Sequence, residues 1–388
     1  MAGWQGFLTR LVHHLEERYD RLIYPLHYRL SSGPEPIKIV AYRGYGDPHR
    51  LYLKGRVLED KGETPAAVQD TFWKDLLNMY RRLESDEVPG ARLQIRYQDR
   101  EFEVVADEEG YFEAQIETPH PLPPGELWAH PQVRLLSPLS HKQSQPVETQ
   151  GDIYVPPATA RFGVISDIDD TVVRSEATHL LRMARNVFLG NARTRLPFPG
   201  VPAFYQALFQ GSAGEAMNPL FYVSSSPWNL YDLLAQFFQL HQIPVGPVLF
   251  LRDWGVTDNE LLPVAHRQHK VGIIRQLLDF YRELPFILIG DSGQEDPEIY
   301  AEMAQQYPGR ILAIYIREVS RVQKRLDALR GLAQKLAGLG SPLVVAEDTL
   351  ALAEHAAAQG WITPEALGRV RAGQAQVETL PQALPGQP

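Results

Sequence analysis

The sequence predicts an α/β protein in which a parallel sheet flanked by helices is preceded by a small β-sandwich-like domain. Three observations carry that expectation. After Ala160 apolar, β-branched runs alternate with helical stretches: FGVIS, a helix after His179, LFYVS, a helix from Trp228 to Leu240, PVLFL, a helix from Lys270, PFILIG, a helix from Pro297, and ILAIYI. This alternation is the signature of a Rossmann-like sheet wrapped by helices. Between about Ile37 and Ser137 the rhythm is different, with the short runs IKIVAY, LYLKGRV, ARLQIRY, EFEVVA, YFEAQIET and WAHPQVRLL. Gly44, Gly46, Pro89-Gly90, Gly110 and Pro123-Pro124-Gly125 separate them as turn formers, a spacing that suggests a sandwich. Between the two patterns lies the polar, turn-rich SHKQSQPVETQGD, which reads as a linker.

Residues 1–30 predict an N-terminal amphipathic helix, with Trp4, Phe7, Leu8, Leu11, Val12 and Leu15 on one face and Arg10, His13, Glu17 and Asp20 opposite. Its apolar face is expected to pack on the next domain; insertion into a membrane interface is the alternative. The β-sandwich-like domain spans 31–140 and carries one inserted helix near Val68 to Leu83, where Phe72, Leu76 and Tyr80 share a face. The linker covers 141–160 and the α/β domain 161–375, with a further strand at PLVVA and helices near Leu350 and Pro364. A Pro/Gln-rich tail, 376–388, is expected to be disordered.

The chain has 388 residues, 44% hydrophobic and 22% charged, enough to bury more than one core. It has no cysteine, which excludes disulfides, thiolate-ligated zinc and thiol catalysis and leaves carboxylates, histidines and hydroxyls for chemistry. A net charge of −9 argues against a nucleic-acid partner, since neutralising phosphates needs a basic excess. The N-terminus has none of the features of a signal peptide, and no stretch reaches the roughly 20 apolar residues of a membrane span. A cytoplasmic protein, with room for peripheral membrane contact, is expected.

Ligands of open α/β sheets bind beyond the carboxyl ends of the strands, so the residues after each apolar run are the informative ones. FGVIS leads into Asp167-Ile168-Asp169-Asp170-Thr171, where two carboxylates leave one strand end toward a common point. Such crowding is electrostatically costly unless a divalent cation sits there, and hard oxygen ligands suit Mg2+. An acidic helix cap explains Asp and Thr but not an acidic cluster against a buried strand. LFYV leads into Ser224-Ser225-Ser226-Pro227-Trp228-Asn229, a hydroxyl with backbone N–H groups at a helix start: a phosphate cradle, or only an N-cap. Lys270 opens the helix KVGIIRQLLDFY, where the dipole disfavours a cation and an anionic partner is wanted; a solvated lysine is the plainer reading. FILIG leads into Asp291-Ser292-Gly293-Gln294-Glu295-Asp296, whose Asp can reach a cation, or which simply begins an acidic helix before Pro297.

In this order the residues resemble the haloacid dehalogenase superfamily: D-x-D-x-T, a strand-end Ser, a Lys, then G-D-x-x-x-x-D. The resemblance implies Asp167 as nucleophile, Asp169 as general acid and later base, and Ser224 and Lys270 as holders of the phosphoryl oxygens. It implies Mg2+ bound by Asp167, the backbone carbonyl of Asp169, and Asp291, supported by Asp296 or Glu295. Ser225, Ser226, Asn229 and Arg174 are candidate substrate contacts. Within the superfamily the closer similarity is to the catalytic domain of actin-patch phosphatidate phosphatases and their bacterial relatives. It rests on SDIDDTV, FYVSSSPWNLYDLL, HKVGIIRQLL, FILIGDSGQEDPEIY and RILAIYIREV, covering about 160–320. VAYRGYG and KGRVLED also resemble the bacterial members, less specifically.

That resemblance implies a magnesium-dependent phosphatase acting on a lipid phosphate monoester such as phosphatidate. Phosphatases of soluble or macromolecular monoesters, and a catalytically silent adaptor, are the alternatives. The insertion between Thr171 and LFYVS is modest, which favours an open site. The stretch from Val172 to Gly200 carries Arg174, Arg182, Arg185, Arg193 and Arg195 against Glu176 alone, a patch able to steer anionic lipid or to pair acids of the neighbouring domain. The sequence points to no particular protein partner.

Overall fold

The computed structural model describes residues 36–60, 87–172, 197–228, 231–244, 246, 248–252, 263–320 and 322–378. The expected N-terminal helix (1–30), the inserted helix near Val68–Leu83, the arginine-rich insertion with Arg174, and Asn229 lie outside the described residues.

The described chain is mixed α/β with several sheets. Its first part forms β1 (Ile37–Ala41), β2 (Gly44–Gly46), β3 (Arg50–Glu59), β4 (Arg92–Tyr97), β5 (Arg100–Val105), β6 (Tyr111–Glu117), β7 (Trp128–Ala129), β8 (Gln132–Ser137), β9 (Glu148–Gln150) and β10 (Ile153–Tyr154). One sheet runs β1-β3-β2-β10-β7 with β6 also paired to β3; the other runs β5-β4-β8-β9. Leu51, Leu53 and Val57 of β3 share a core with Leu93 and Ile95 of β4 and Val133 and Leu135 of β8, so the two sheets bury a common apolar layer. Each such side chain removed from water contributes about 1.5–3 kcal/mol.

Two sequence expectations change here. Gly44 and Gly46, read as turn formers, form β2, paired with β3 and β10. Glycine is required there because a Cβ on Gly44 would meet the Tyr52 carbonyl oxygen at 2.2 Å. The stretch 141–160, read as a linker, supplies β9 and β10, which close one strand onto each sheet. Its polar residues face solvent while Ile153 and Tyr154 are buried, a pattern too short to stand out from the surrounding turns.

The second part is a parallel sheet flanked by helices. Its strands are β11 (Gly163–Asp167), β12 (Leu220–Pro227), β13 (Val248–Arg252), β14 (Phe286–Asp291), β15 (Ile311–Arg317) and β16 (Leu343–Ala346). Their order is β13-β12-β11-β14-β15-β16, and every neighbouring pair is parallel. The helices are α1 (Val201–Gln210), α2 (Tyr231–Leu240), α3 (Pro263–Phe280), α4 (Asp296–Gln306), α5 (Gln323–Ala337), α6 (Thr349–Ala358) and α7 (Pro364–Glu378). Alternation along the strands assigns them to faces. Val164 and Tyr222 pack with Phe204 of α1, Phe238 of α2, Leu352 of α6 and Val370 of α7. Ile165 and Phe221 pack with Ile274 of α3, Ile299 of α4 and Leu336 of α5. A strand buried on both faces has to be apolar throughout, which is why these runs stood out in the sequence.

Helix α5 was not expected, and α7 occupies the first residues of the expected disordered tail, through Glu378. Among the described residues, no helix is long and apolar enough to cross a membrane.

The two parts meet across hydrogen bonds. Gln276 of α3 donates to the Tyr45 hydroxyl (2.8 Å), Tyr281 OH donates to the Gly46 carbonyl (3.0 Å), and Tyr154 OH donates to the Met217 carbonyl (2.7 Å). Burial of β3 on both faces follows: Leu51 and Leu53 face the β core while Tyr52 joins the core under α3 and α4.

Candidate active site

Strand β11 is the switch point of the parallel sheet, with β12 on one side and β14 on the other. Side chains leaving the carboxyl ends of these three strands converge into one crevice. Asp167 is the last residue of β11 and Asp291 the last of β14; both are 1% exposed. Ser224 stands where β12 loses register with β13, between Val223 and Pro227.

Lys270 enters this crevice from α3. Its Nζ lies 2.8 Å from Asp167 Oδ1 and 2.5 Å from Asp296 Oδ1. The helix begins at Pro263, so Lys270 lies well inside it and not at its N-terminus. The dipole argument for an anionic partner therefore does not apply, yet the partners exist, because the third turn of α3 crosses the strand ends. Burial works against the Lys270 charge, but Asp167 and Asp296 outweigh it and hold its pKa above the usual lysine range. Burial raises Asp167 well above the usual carboxylate range; Lys270 opposes this, while Asp296, Asp291 and Asp169 reinforce it.

Asp291 is held on one side only. Its Oδ1 accepts from the backbone N–H groups of Gly293 (2.6 Å) and Gln294 (3.1 Å), and its Oδ2 is buried with no hydrogen-bond partner. Burial, then the Asp296 charge, pushes its pKa up to about 7. Asp296 opens α4 and packs against Gly290, where an added Cβ would lie 2.4 Å from Asp296 Oδ2, so only glycine fits. Asp167, Asp291 and Asp296 each offer a carboxylate oxygen, all within 4.8 Å of one another. Three buried carboxylates with one unsatisfied oxygen and a single lysine among them form a site that could hold a cation, since the charge is otherwise uncompensated. Of the two acids expected in support, Asp296 joins the cluster, whereas Glu295 is mostly exposed and lies 3.8 Å from Arg267.

Asp169 faces the other side of the crevice. It is half-buried, and the Ser224 hydroxyl donates to its Oδ2 at 2.9 Å. Its carboxylate is not part of the three-acid group. The chain turns away immediately afterwards at Asp170, in the left-handed region at φ 54°. Ser225 and Ser226 continue β12 beside Ser224. The arrangement thus offers a buried carboxylate beside a lysine, a second carboxyl under a hydroxyl on one side of it, and two further buried carboxylates on the other.

Several supporting residues, Thr171 of the D-x-D-x-T motif apart, carried no signal in the sequence. Tyr205 of α1 and Ser166 pair through their hydroxyls at 2.7 Å, and the Ser166 hydroxyl donates to the Asp167 carbonyl at 2.7 Å. Thr171 donates to Asp167 Oδ2 at 3.3 Å. Arg325 of α5 clamps the loop after Asp291, donating to the Ser292 carbonyl (2.9 Å) and the Gln294 carbonyl (2.6 Å) while ion-paired to Glu298. Ser292 Oγ accepts from the N–H groups of Val319 and Ser320. Tyr205 and Arg325 are far in sequence from the residues they hold, and α5 itself was unexpected.

Residues 162–318 match a family model described as phosphatidate phosphatase APP1, catalytic domain, a span that includes the site residues placed above except Arg325, Val319 and Ser320. Over this region the chain resembles the catalytic domain of actin-patch phosphatidate phosphatases. Among curated relatives, Phosphatidate phosphatase APP1 of Saccharomyces cerevisiae is 37% identical over 157 residues, 40% of this chain and 26% of that one. An uncharacterized protein of Schizosaccharomyces pombe is 35% identical over 161 residues, 41% of this chain and 25% of that one. The chain therefore spans about a quarter of the length of these relatives. Among solved structures, a carbohydrate acetylesterase from Xanthomonas citri aligns with a TM-score of 0.27 at 12% identity over 78% of this chain and 66% of that one, too poorly to define a shared fold.

Proposed function

We propose that this chain is a magnesium-dependent phosphatase that hydrolyses a phosphate monoester, a lipid phosphate such as phosphatidate, through an aspartyl phosphate on Asp167. The observation that carries the reading is the buried group of Asp167, Asp291 and Asp296 around Lys270, at the strand ends of the region matching the phosphatidate phosphatase catalytic domain. On this reading the parallel-sheet part, 161–375, is a haloacid dehalogenase type domain, and the β-rich part, 31–140, a β-sandwich-like domain before it.

The donor set is all carboxylate oxygen, with Asp291 Oδ2 lacking a partner, which suits Mg2+ held by Asp167, Asp291 and Asp296 together with the Asp169 carbonyl. When bound, Mg2+ supplies charge neutralisation at the carboxylates and phosphoryl oxygens.

The chain's own residues perform the rest. Asp167 attacks phosphorus and displaces the alcohol, while Asp169 donates its proton to the departing oxygen. Asp169 then takes a proton from water as that water attacks the phosphoryl group, which releases phosphate and restores Asp167. Lys270 and Ser224 hold the phosphoryl oxygens, with Ser225, Ser226, Asn229 and Arg174 as further contacts. Thr171 and the Ser166–Tyr205 pair keep Asp167 in place. Action on lipid implies peripheral contact between a cytoplasmic protein and a membrane.

Turnover of phosphatidate in vesicles and of soluble phosphomonoesters, with Mg2+ and with chelator, tests the reading. Magnesium-dependent release of phosphate from phosphatidate is expected. Release from soluble esters alone would reassign the substrate, and no release from either would remove the enzyme reading.

A further inference from the structure

The match to the phosphatase catalytic domain begins at residue 162, which leaves the β-rich part without a role. Its first corner, however, touches Trp228 and Tyr231, directly after the Ser224–Pro227 segment. Strand β12 pairs with β13 at Val223 and again at Pro227 but shifts register between them, so the registered pairs of the ladder pass over Ser224, Ser225 and Ser226.

Trp228, the next residue, is 3% exposed and stacks on Tyr42 with ring centroids 4.1 Å apart and planes at 23°. Lys54 of β3 places its ammonium 5.5 Å from the centre of the same indole and 4.9 Å from the Tyr111 ring. The backbone of Tyr42 is itself fixed, its N–H donating to the Lys54 carbonyl at 2.9 Å. At the start of α2, the Tyr231 hydroxyl accepts from the Arg43 backbone N–H at 3.0 Å, and the Tyr231 ring lies 4.8 Å from Tyr42. Both ends of the segment from Trp228 to Tyr231 are therefore pinned to two consecutive residues of the β-rich part.

We propose that Tyr42 and Arg43 are positioning residues of the active site: the β-rich part braces Trp228 and Tyr231 and so holds the Ser224–Pro227 turn in the shape that receives a phosphoryl group. The inference rests on the reading of Ser224 as a phosphoryl contact. It also explains why Tyr42 is buried against the catalytic part's core and not that of its own sheets. A phosphate cradle depends on several hydrogen-bond donors keeping their mutual geometry, so loss of the brace lowers affinity for the phosphoryl group without removing any group that contacts it.

The test uses the full chain with Tyr42→Ala, Tyr42→Phe and Tyr231→Phe. KM and kcat are measured on a small aryl phosphate, affinity for inorganic phosphate with Mg2+ is measured by calorimetry, and the magnesium half-saturation and thermal midpoint are followed. Tyr42→Ala is expected to raise KM and weaken phosphate binding by about 10-fold, as loss of an aromatic stack allows. Tyr42→Phe should restore both, and Tyr231→Phe should cost about 3-fold through one lost hydrogen bond. The magnesium half-saturation should stay unchanged, because Asp291 and Asp296 lie on the far side of β11 from this corner.

Unchanged phosphate affinity in folded Tyr42→Ala and Tyr231→Phe overturns the proposal, as does an equal shift in magnesium half-saturation, which would mean general loosening. Should Tyr42→Ala fail to fold, Tyr231→Phe keeps its ring and decides the matter alone. If the wild type binds phosphate but hydrolyses no ester, the phosphatase reading fails while the brace is still judged on phosphate affinity. If the wild type binds no phosphate, both are overturned.

Discussion

Lys270 Nζ and Asp167 Oδ1 stand 2.8 Å apart at the carboxyl end of β11, both side chains almost fully buried. Removing one partner of such a pair leaves the other uncompensated, at a cost of about 3–5 kcal/mol before protonation relieves it. Lys270→Ala is therefore expected to lower the unfolding free energy by about 3 kcal/mol without magnesium, as read by denaturant titration. Turnover should fall by roughly 100-fold or more even at saturating Mg2+, because the proposed partner of the phosphoryl oxygens is gone. Full recovery with added magnesium would show that Lys270 acts only on the metal site.

Asp167→Asn keeps the shape of the site and removes the proposed nucleophile. Turnover should drop by at least about 10³-fold, while Mg2+-dependent binding of inorganic phosphate persists. Single-turnover quench experiments should trap phosphoprotein in the wild type only. Substantial residual turnover in the variant would move the nucleophile elsewhere.

Asp169 accepts from Ser224 at 2.9 Å and is the proposed acid for the leaving group. Asp169→Asn should slow hydrolysis of alkyl phosphates by about 10²–10⁴-fold and spare activated aryl phosphates, which leave without a proton. Equal losses on both substrates would argue against the acid role.

Asp291 has its carboxyl raised to about 7 in the metal-free protein. A folded-state pKa above the unfolded value of about 3.9 contributes stability below that pH and loses it as pH rises through 7. A cation must displace this proton, so stabilisation by Mg2+ should grow as pH rises from 6 to 8. Thermal melts at fixed Mg2+ check this, and the growth should disappear in Asp291→Asn. A magnesium-induced shift that is flat with pH would place the cation away from Asp291.

Arg325 reaches the same carboxylate through the loop it clamps, since Gly293 and Gln294 donate to Asp291 Oδ1 from between its contacts at Ser292 and Gln294. Arg325→Met should raise the magnesium half-saturation by about 10-fold, the usual effect of losing a partner one step from a metal ligand, and leave KM for small phosphates little changed. Arg325→Lys should recover only part, because an ammonium cannot reach two carbonyls and Glu298 with a fixed fork. No change in half-saturation would confine Arg325 to packing.

By itself the sequence determined the strands of the parallel sheet and the acids at their ends. A strand covered on both faces must be apolar throughout, so FGVIS and FILIG mark their own limits, and Asp167 and Asp291 follow where the apolar run stops. The hydroxyl at Ser224 was legible for the same reason. Tertiary structure alone decided what these groups touch. Lys270 looked like a helix start, yet α3 begins at Pro263, and only the crossing of α3 over β11 brings it between Asp167 and Asp296. Gly44 and Gly46 looked like turns, because the sequence does not show that Tyr52's carbonyl occupies the space a side chain would need. Arg325 and Tyr205 had no pattern to announce them, and VAYRGYG marked Tyr42 without saying what it touches, since each acts on a partner far along the chain. Periodicity records which face of an element is buried, whereas packing decides which distant residue is buried against it.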